Sequence, residues 1–123
     1  MARTHKKVWF LPKGKQKHTE ASAAEGVEQV LRILEGRWKL VILFQLFGGK
    51  VRRFSELERI IPGVSQKMLA QQLREMERDG LVRRVVHPQV PPKVEYCLSD
   101  WAQSLCPALD ALLKWEERRG GRS

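Results

Sequence analysis

Residues 54–80 read FSELERIIPGVSQKMLAQQLREMERDG, and Pro62-Gly63 divides this stretch into two segments with the features of helices. Ser55, with a glutamate three residues later, predicts a helix start, because such a pair can satisfy the free backbone donors of a first turn. Proline and glycine do not continue that helix. Ser65 then offers a cap for a second, longer helix that ends before Gly80. The stretch therefore predicts a helix-turn-helix.

The second predicted helix has two chemically different faces. At about 100° per residue, Leu69, Leu73 and Met76 share an apolar face that belongs in a core. The opposite face carries Gln66, Lys67, Ala70, Gln71, Arg74 and Arg78. Long amide and basic side chains can hydrogen-bond base edges, and a single helix fits the major groove of B-DNA. A plain solvated helix face is the alternative, since polar faces are common on surface helices.

Two segments after this helix predict a β-hairpin. Residues 81–86 are rich in valine, and Val94, Tyr96 and Leu98 alternate with their neighbours. The HPQVPP segment between them is too long and too rich in proline for a two-residue turn, so it predicts a stiff, projecting loop. The positive side chains of the hairpin are Arg83, Arg84, His87 and Lys93. They predict contact with phosphates or the minor groove, and scattered surface charge is the alternative.

Apolar residues at helical spacing predict further helices on both sides of this region. The first spans residues 21–34, and residues 38–47 are apolar nearly all round, as expected of a short helix buried on most sides. Ser99 can cap a last helical region, which Pro107 should kink or divide.

The first and last helices each carry more apolar surface than a small monomer needs to cover its core. We therefore predict that these flanking helices form a dimer interface. The residues assigned to it are Val27, Leu31, Leu105, Leu109, Leu112 and Trp115. A last helix folded back on its own domain is the alternative.

The net charge of +9 is concentrated in two parts of the 123-residue chain. Residues 1–19 hold six basic and no acidic side chains, and residues 50–93 hold ten basic against five acidic. Residues 20–49 and 94–123 each carry a net charge of −1. Clustering of this kind is typical of a nucleic-acid-binding surface. A basic RNA-binding or nucleoid-associated module without sequence specificity would share it and is the alternative.

The length predicts one domain, residues 20–119, between a basic arm at 1–19 and a short tail at 120–123. The arm is expected to be extended, either solvated or following phosphates. The two cysteines have no metal-like spacing and indicate a reducing, cytoplasmic compartment, and no apolar run approaches the roughly 20 residues of a membrane span. The three histidines are far apart, and HExxH, CxxC, GxSxG and GxGxxG are absent from the sequence. We therefore predict no enzyme, cofactor or metal.

Three segments together resemble the HxlR-type winged-helix transcriptional regulators, relatives of the MarR group. They are EGRWKLVILFQL, the helix-turn-helix with the Leu-Val that follows it, and HPQVPPKVEYCLSD. The resemblance covers residues 25–115. It implies a mainly α fold with a small β-hairpin wing, and a dimeric regulator that binds double-stranded DNA in response to an effector not evident from the sequence.

Within that reading, the predicted DNA-binding residues divide by role. Gln66, Lys67, Gln71 and Arg74 lie on the first turns of the recognition helix, where they can reach base edges. Arg83, Arg84 and Lys93 lie on the wing and suit phosphates. Ser55 and Ser65 lie at helix starts, where hydroxyls and free amides suit phosphate oxygens.

One feature departs from the family pattern. Members that sense oxidants often carry a cysteine just ahead of a Val-Glu pair at the start of the first helix, whereas Glu25-Gly26 precedes Val27-Glu28 here. We therefore expect Cys97 and Cys106 to be inert thiols, and oxidation of either is the alternative.

Overall fold

The computed structural model describes residues 18–120 and is mainly helical with one small antiparallel sheet. In chain order the elements are α1 (Glu20–Leu34), α2 (Lys39–Leu46), β1 (Arg52–Arg53), α3 (Phe54–Ile60), α4 (Gln66–Arg78), β2 (Val82–His87), β3 (Lys93–Leu98), α5 (Asp100–Gln103) and α6 (Cys106–Gly120). The predicted fold class, a winged helix-turn-helix, is confirmed. Most of the predicted arm and tail lie outside the described residues.

Helix α1 belongs to one of two compact units, residues 1–35, and the other unit comprises residues 36–123. Thr19 caps α1, since its hydroxyl accepts from the Ser22 backbone N–H at 3.1 Å and the Ser22 hydroxyl accepts from the Thr19 N–H at 2.9 Å. Thr19, which the sequence assigned to the arm, is therefore the N-cap residue of α1. Val27 and Leu31 are exposed on this helix, with 57% and 56% of their surface accessible.

The predicted cap of α3 is wrong. The helix begins at Phe54, and the Arg53 backbone N–H donates to the Glu56 carboxylate at 2.7 Å. Glu56, rather than Glu58, stands at the third helical position, from which a carboxylate reaches back to the free N–H before the helix. Ser55 lies exposed within the first turn.

The predicted boundaries of α4 are confirmed. The Ser65 hydroxyl accepts from the Met68 N–H at 3.1 Å. At the other end, Gly80 has φ +80°, a conformation that glycine adopts without a Cβ penalty, and the Leu81 N–H donates to the Met76 carbonyl at 2.8 Å. The apolar face of α4 is fully buried in the core.

Helix α2 is buried on one side only, so the prediction of burial on most sides is wrong. Ile42, Leu43 and Leu46 are inaccessible, whereas Leu40 and Phe44 keep 41% and 45% of their surface exposed. The single chain supplies core neighbours to one face of this helix. The other face remains apolar and uncovered.

The sheet contains the predicted hairpin and a third strand that the sequence did not reveal. The order is β1-β3-β2, and β1 is only two residues long, too short for an alternating pattern. Because directly paired residues share a face, Arg84 lies beside Tyr96 on one face and Arg83 beside Cys97 on the other.

Pro107 divides the last helical region as predicted, giving α5 and α6. The Ser99 hydroxyl caps α5 by accepting from the Ala102 N–H at 3.1 Å, and it donates to the Gly80 carbonyl at 2.7 Å. The Gln103 amide oxygen accepts from the Gly48 N–H at 3.2 Å. Helix α5 is thus tied by hydrogen bonds to the residues that follow α2 and α4.

Candidate nucleic-acid interface

The polar face of α4 is available for binding. The side chains of Gln66, Lys67, Gln71, Arg74 and Arg78 are all exposed. Within residues 18–120 none of the five has a hydrogen bond or an ion pair. Five long side chains with hydrogen-bond donors therefore project from one helix without a partner among the described residues, which leaves them available to contact base edges or phosphates.

The turn before α4 is held by a buried tryptophan that sequence reasoning did not assign to the site. Gly63 has φ +83°, and a Cβ there would lie 3.7 Å from the end of the Trp38 ring. Trp38 is buried, and the Arg37 guanidinium lies 4.9 Å from its ring centroid. The turn of the helix-turn-helix therefore lies against the buried Trp38 ring. The long separation between positions 38 and 63 left no local signal for it.

The wing carries a small charge network, and Lys93, one of its predicted phosphate-binding residues, is part of it. The Glu95 carboxylate lies 2.7 Å from His87 Nε2 and 3.5 Å from Lys93 Nζ. The hydrogen bond with His87 and then the charge of Lys93 hold the pKa of Glu95 below its usual value, although desolvation opposes them. Lys93 is thus ion-paired with Glu95 inside the wing. Arg83 and Arg84 are exposed side chains of the wing that carry positive charge.

The predicted DNA-binding residues do not form one uniform patch. Ser65 is occupied as a helix cap, and Ser55 is free on α3. Arg84 lies on the sheet face that turns toward α4, where it lines the same groove as Arg74. Arg83 lies on the opposite face of the sheet. The structure brings Arg74 and Arg84 together and separates Arg83 from both.

A second surface of the same unit is apolar. A groove of about 330 Å³ is lined by Leu40, Phe44, Leu109, Leu112, Leu113, Trp115 and Glu116. Leu109 is only 7% exposed, so it supports this surface from below, while Leu112 and Trp115 are more than half exposed. Leu105 is half-buried. Sequence reasoning assigned the α6 side of this groove to the dimer interface and missed Leu40 and Phe44, because it placed α2 in the core.

Residues 18–120 show neither a helix long and apolar enough to cross a membrane nor a group of three metal-ligating side chains. What they do contain is a helix-turn-helix followed by a β-hairpin. That arrangement defines the winged-helix class of transcriptional regulators. Residues 33–123 match the HxlR-like helix-turn-helix family, and the chain belongs to that family.

Similar proteins are named as transcriptional regulators. The uncharacterized HTH-type transcriptional regulator YtcD of Bacillus subtilis (strain 168) is 54% identical over 89 residues, which span 72% of this chain and 70% of YtcD. A crystal structure of YtcD superposes with a TM-score of 0.70 at 48% identity, covering 77% of this chain and 96% of that one.

Two further solved structures share the fold. A MarR-family regulator from Enterococcus faecalis V583 matches with a TM-score of 0.78 and 34% identity, covering 89% of this chain and 96% of that chain. The redox regulator HypR in its reduced form matches with a TM-score of 0.69 and 42% identity, covering 76% of this chain and 91% of that chain.

Proposed function

We propose that this protein is a sequence-specific transcriptional regulator that binds a near-palindromic operator as a homodimer. The observation that carries the proposal is the face of α4, on which five amide and basic side chains are exposed with no partner in residues 18–120. The helix is capped at both ends and packed on the core, so the face has a fixed direction. A rigid helix of this kind is what major-groove reading requires.

The two halves of the interface then have different tasks. Gln66, Lys67 and Gln71 enter the major groove and contact base edges, and Arg74 extends this row on the same face of α4. Arg83, Arg84 and Lys93 follow phosphates from the wing, and Ser55 and Ser65 position the helix starts on the backbone. The protein works by binding and not by catalysis, in the cytoplasm where chromosomal DNA lies.

Dimerisation is supported by the uncovered apolar surfaces. Leu112 and Trp115 are exposed on α6, where Leu109 is buried, and Leu105 is half-buried just before this helix. Val27 and Leu31 are exposed on α1. On each helix the exposed apolar side chains are neighbours rather than isolated residues, which is typical of an interaction surface. A two-fold dimer would place its two recognition helices about 34 to 36 Å apart, one turn of DNA. Its operator would then be a near-palindrome.

HypR is a redox regulator, but the cysteine ahead of the Val-Glu pair is absent from this chain, so we do not propose thiol sensing by that route. A small molecule remains the open class of signal.

The test is selection of duplexes from a random pool, followed by affinity measurements on the selected and on random DNA. Gln66→Ala and Gln71→Ala should each cost about 1 to 3 kcal/mol on the selected duplex and little on random DNA, because base contacts carry sequence information. Gln29→Ala, an exposed glutamine of α1, is the matched control and should change neither affinity.

Two results would contradict this function. If the pool shows no enrichment while random DNA binds tightly, the protein is a non-specific nucleoid-type module. If Gln66→Ala and Gln71→Ala weaken both duplexes equally, α4 is not the reader.

A further inference from the structure

A polar groove of about 390 Å³ separates the recognition helix from the wing. It is lined by Ala70, Leu73, Arg74 and Glu77 from α4 and by Arg84 and Tyr96 from the sheet. Leu73 is buried, so the floor of the groove is apolar and the polar groups stand on its walls. The groove thus brings together side chains from both parts of the candidate DNA interface.

The strand register explains why these side chains converge. Arg84 and Tyr96 are direct partners in the antiparallel pairing of β2 and β3, so both side chains project from the same sheet face. Arg52 is paired with Tyr96 from the other side and shares that face, but its Nε donates to the Gln45 carbonyl at 2.9 Å. On this face of the sheet the Arg52 guanidinium is therefore hydrogen-bonded, whereas that of Arg84 is available to a ligand and lines the groove across from Arg74.

The groove has unused hydrogen-bond donors. Arg74 and Arg84 are both exposed, and neither forms a hydrogen bond or an ion pair with any residue from 18 to 120. Glu77 also lines the groove, yet its carboxylate is not ion-paired with either arginine. The lining side chains carry a net charge of +1, from two guanidinium groups and one carboxylate.

Two guanidinium groups and a phenol among the side chains that line one groove suit an oxyanion with several acceptor oxygens. Arginine binds phosphate through two parallel N–H donors, and such charge-assisted bonds are stronger than neutral ones. In a DNA complex, the backbone beside the major groove lies next to the recognition helix and within reach of the wing.

We propose that this groove is a phosphate clamp that holds one phosphate of the DNA backbone between Arg74 and Arg84, with the Tyr96 hydroxyl as a further donor. The inference rests on the DNA binding proposed above and deepens it. It moves Arg74 from base reading to phosphate binding, and it adds Tyr96, which sequence reasoning did not consider. Arg83, on the other face of the sheet, is outside the clamp.

The experiment is a salt titration of binding to a random-sequence duplex, which needs no operator. Each neutralised phosphate contributes about 0.9 to the slope of log affinity against log salt. If both arginines hold one phosphate, Arg74→Ala/Arg84→Ala should lose about 0.9 in total, and each single variant should lose less than that. A loss of about 1.8 in the double variant means two separate phosphates and overturns the clamp.

Two further variants sharpen the result. Tyr96→Phe should weaken binding about three- to tenfold with an unchanged salt slope, since it removes a donor and no charge. Arg83→Ala/Arg84→Ala is the matched control, in which the two losses should simply add. Thermal melting followed by circular dichroism should show wild-type folding in each variant. Arg74→Lys and Arg84→Lys, which keep the charge, replace any alanine variant that fails to fold. Weaker DNA binding by these lysine variants, with an unchanged salt slope, then supports the clamp.

A free anion could satisfy the same donors, so inorganic phosphate is tested as the second source. Binding of inorganic phosphate to the protein is followed by calorimetry at constant ionic strength. If that binding depends on Arg74 and Arg84 while the DNA slopes of their variants equal the wild type, the groove serves a free anion and the DNA assignment is overturned. If the protein selects no particular sequence but the salt slopes of the Arg74 and Arg84 variants are still non-additive, only the proposed operator recognition is refuted. A wild type that binds no duplex refutes both.

Discussion

Lys39 Nζ lies 3.4 Å from Glu75 Oε1, an ion pair that joins the start of α2 to the last turn of the recognition helix. Lys39 is only 6% exposed. Gly36 allows this close packing, because a Cβ there would lie 3.4 Å from both the Lys39 side chain and the Gln72 amide oxygen. The direction of α4 is therefore fixed by this ion pair as well as by the packing of its apolar face.

Glu75→Ala should lower the free energy of unfolding by about 1 to 3 kcal/mol, because it leaves the Lys39 ammonium buried without this carboxylate. Replacing both residues by methionine should cost less than the sum of the two single replacements, since the buried charge and its carboxylate are then removed together. Urea denaturation of the two single variants and the double variant measures this coupling. Strictly additive losses would show that the ion pair contributes nothing specific.

Ser55 and Ser65 both lie near a helix start, but their replacement should affect stability differently. Ser65→Ala should destabilise the protein by about 1 kcal/mol, because the Ser65 hydroxyl accepts from the Met68 N–H and caps α4. Ser55→Ala should stay within about 0.5 kcal/mol, since Glu56 and not Ser55 satisfies the start of α3. Thermal melts of the two variants in parallel provide the comparison, and equal losses would contradict the observed caps.

Local signals were enough to predict α4, the hairpin and the break at Pro107, because caps, glycines and apolar periods act over a few residues. The features that sequence reasoning missed depend on distant partners. Strand β1 exists only because β3 pairs with it, and Trp38 meets Gly63 across the fold. The same holds for the groove between Arg74 and Arg84, which follows from strand register and helix packing together.

The proposed dimer can be tested at the apolar groove lined by residues of α2 and α6. Leu112→Asp should place a charge in an apolar surface and weaken a dimer by on the order of 2 kcal/mol or more. Val90→Asp is the matched control, because Val90 is 98% exposed at the tip of the wing and should leave association unchanged. Sedimentation velocity reports both. A wild type that stays monomeric at micromolar concentration, with and without DNA, refutes the dimer.

Mild oxidant should leave DNA affinity unchanged. A reactive thiol must be accessible and close to positive charge, and both Cys97 and Cys106 are half-buried. Arg83 is the cross-strand partner of Cys97, so Cys97 is the one of the two thiols that lies beside a positive charge in the sheet. Affinity is compared before and after diamide treatment in the wild type and in Cys97→Ser/Cys106→Ser. Release of the wild type but not of the double variant would make these thiols sensors.

Glu95 should make the stability of the wing depend on pH in the acid range. Its hydrogen bond with His87, followed by the charge of Lys93, holds the pKa of Glu95 below its usual value near 4.5. The folded protein therefore keeps this carboxylate ionised at a pH where the unfolded chain has already bound a proton. The stabilisation is complete above the unfolded pKa and is lost as the pH falls through the lower, folded pKa.

The variant that isolates this effect is Glu95→Gln, which keeps the shape of the side chain and removes its charge. The difference in unfolding free energy between wild type and Glu95→Gln should be at its full value well above the usual pKa of 4.5 and should shrink as the pH falls below it, because protonation then removes the same charge from the wild type. Urea midpoints across this range measure it. Glu117→Gln is the control, since Glu117 is exposed and has no ion pair within residues 18–120, and its difference from wild type should remain flat. A Glu95→Gln difference that grows as the pH falls would mean that the carboxylate does not stabilise the wing in its ionised form.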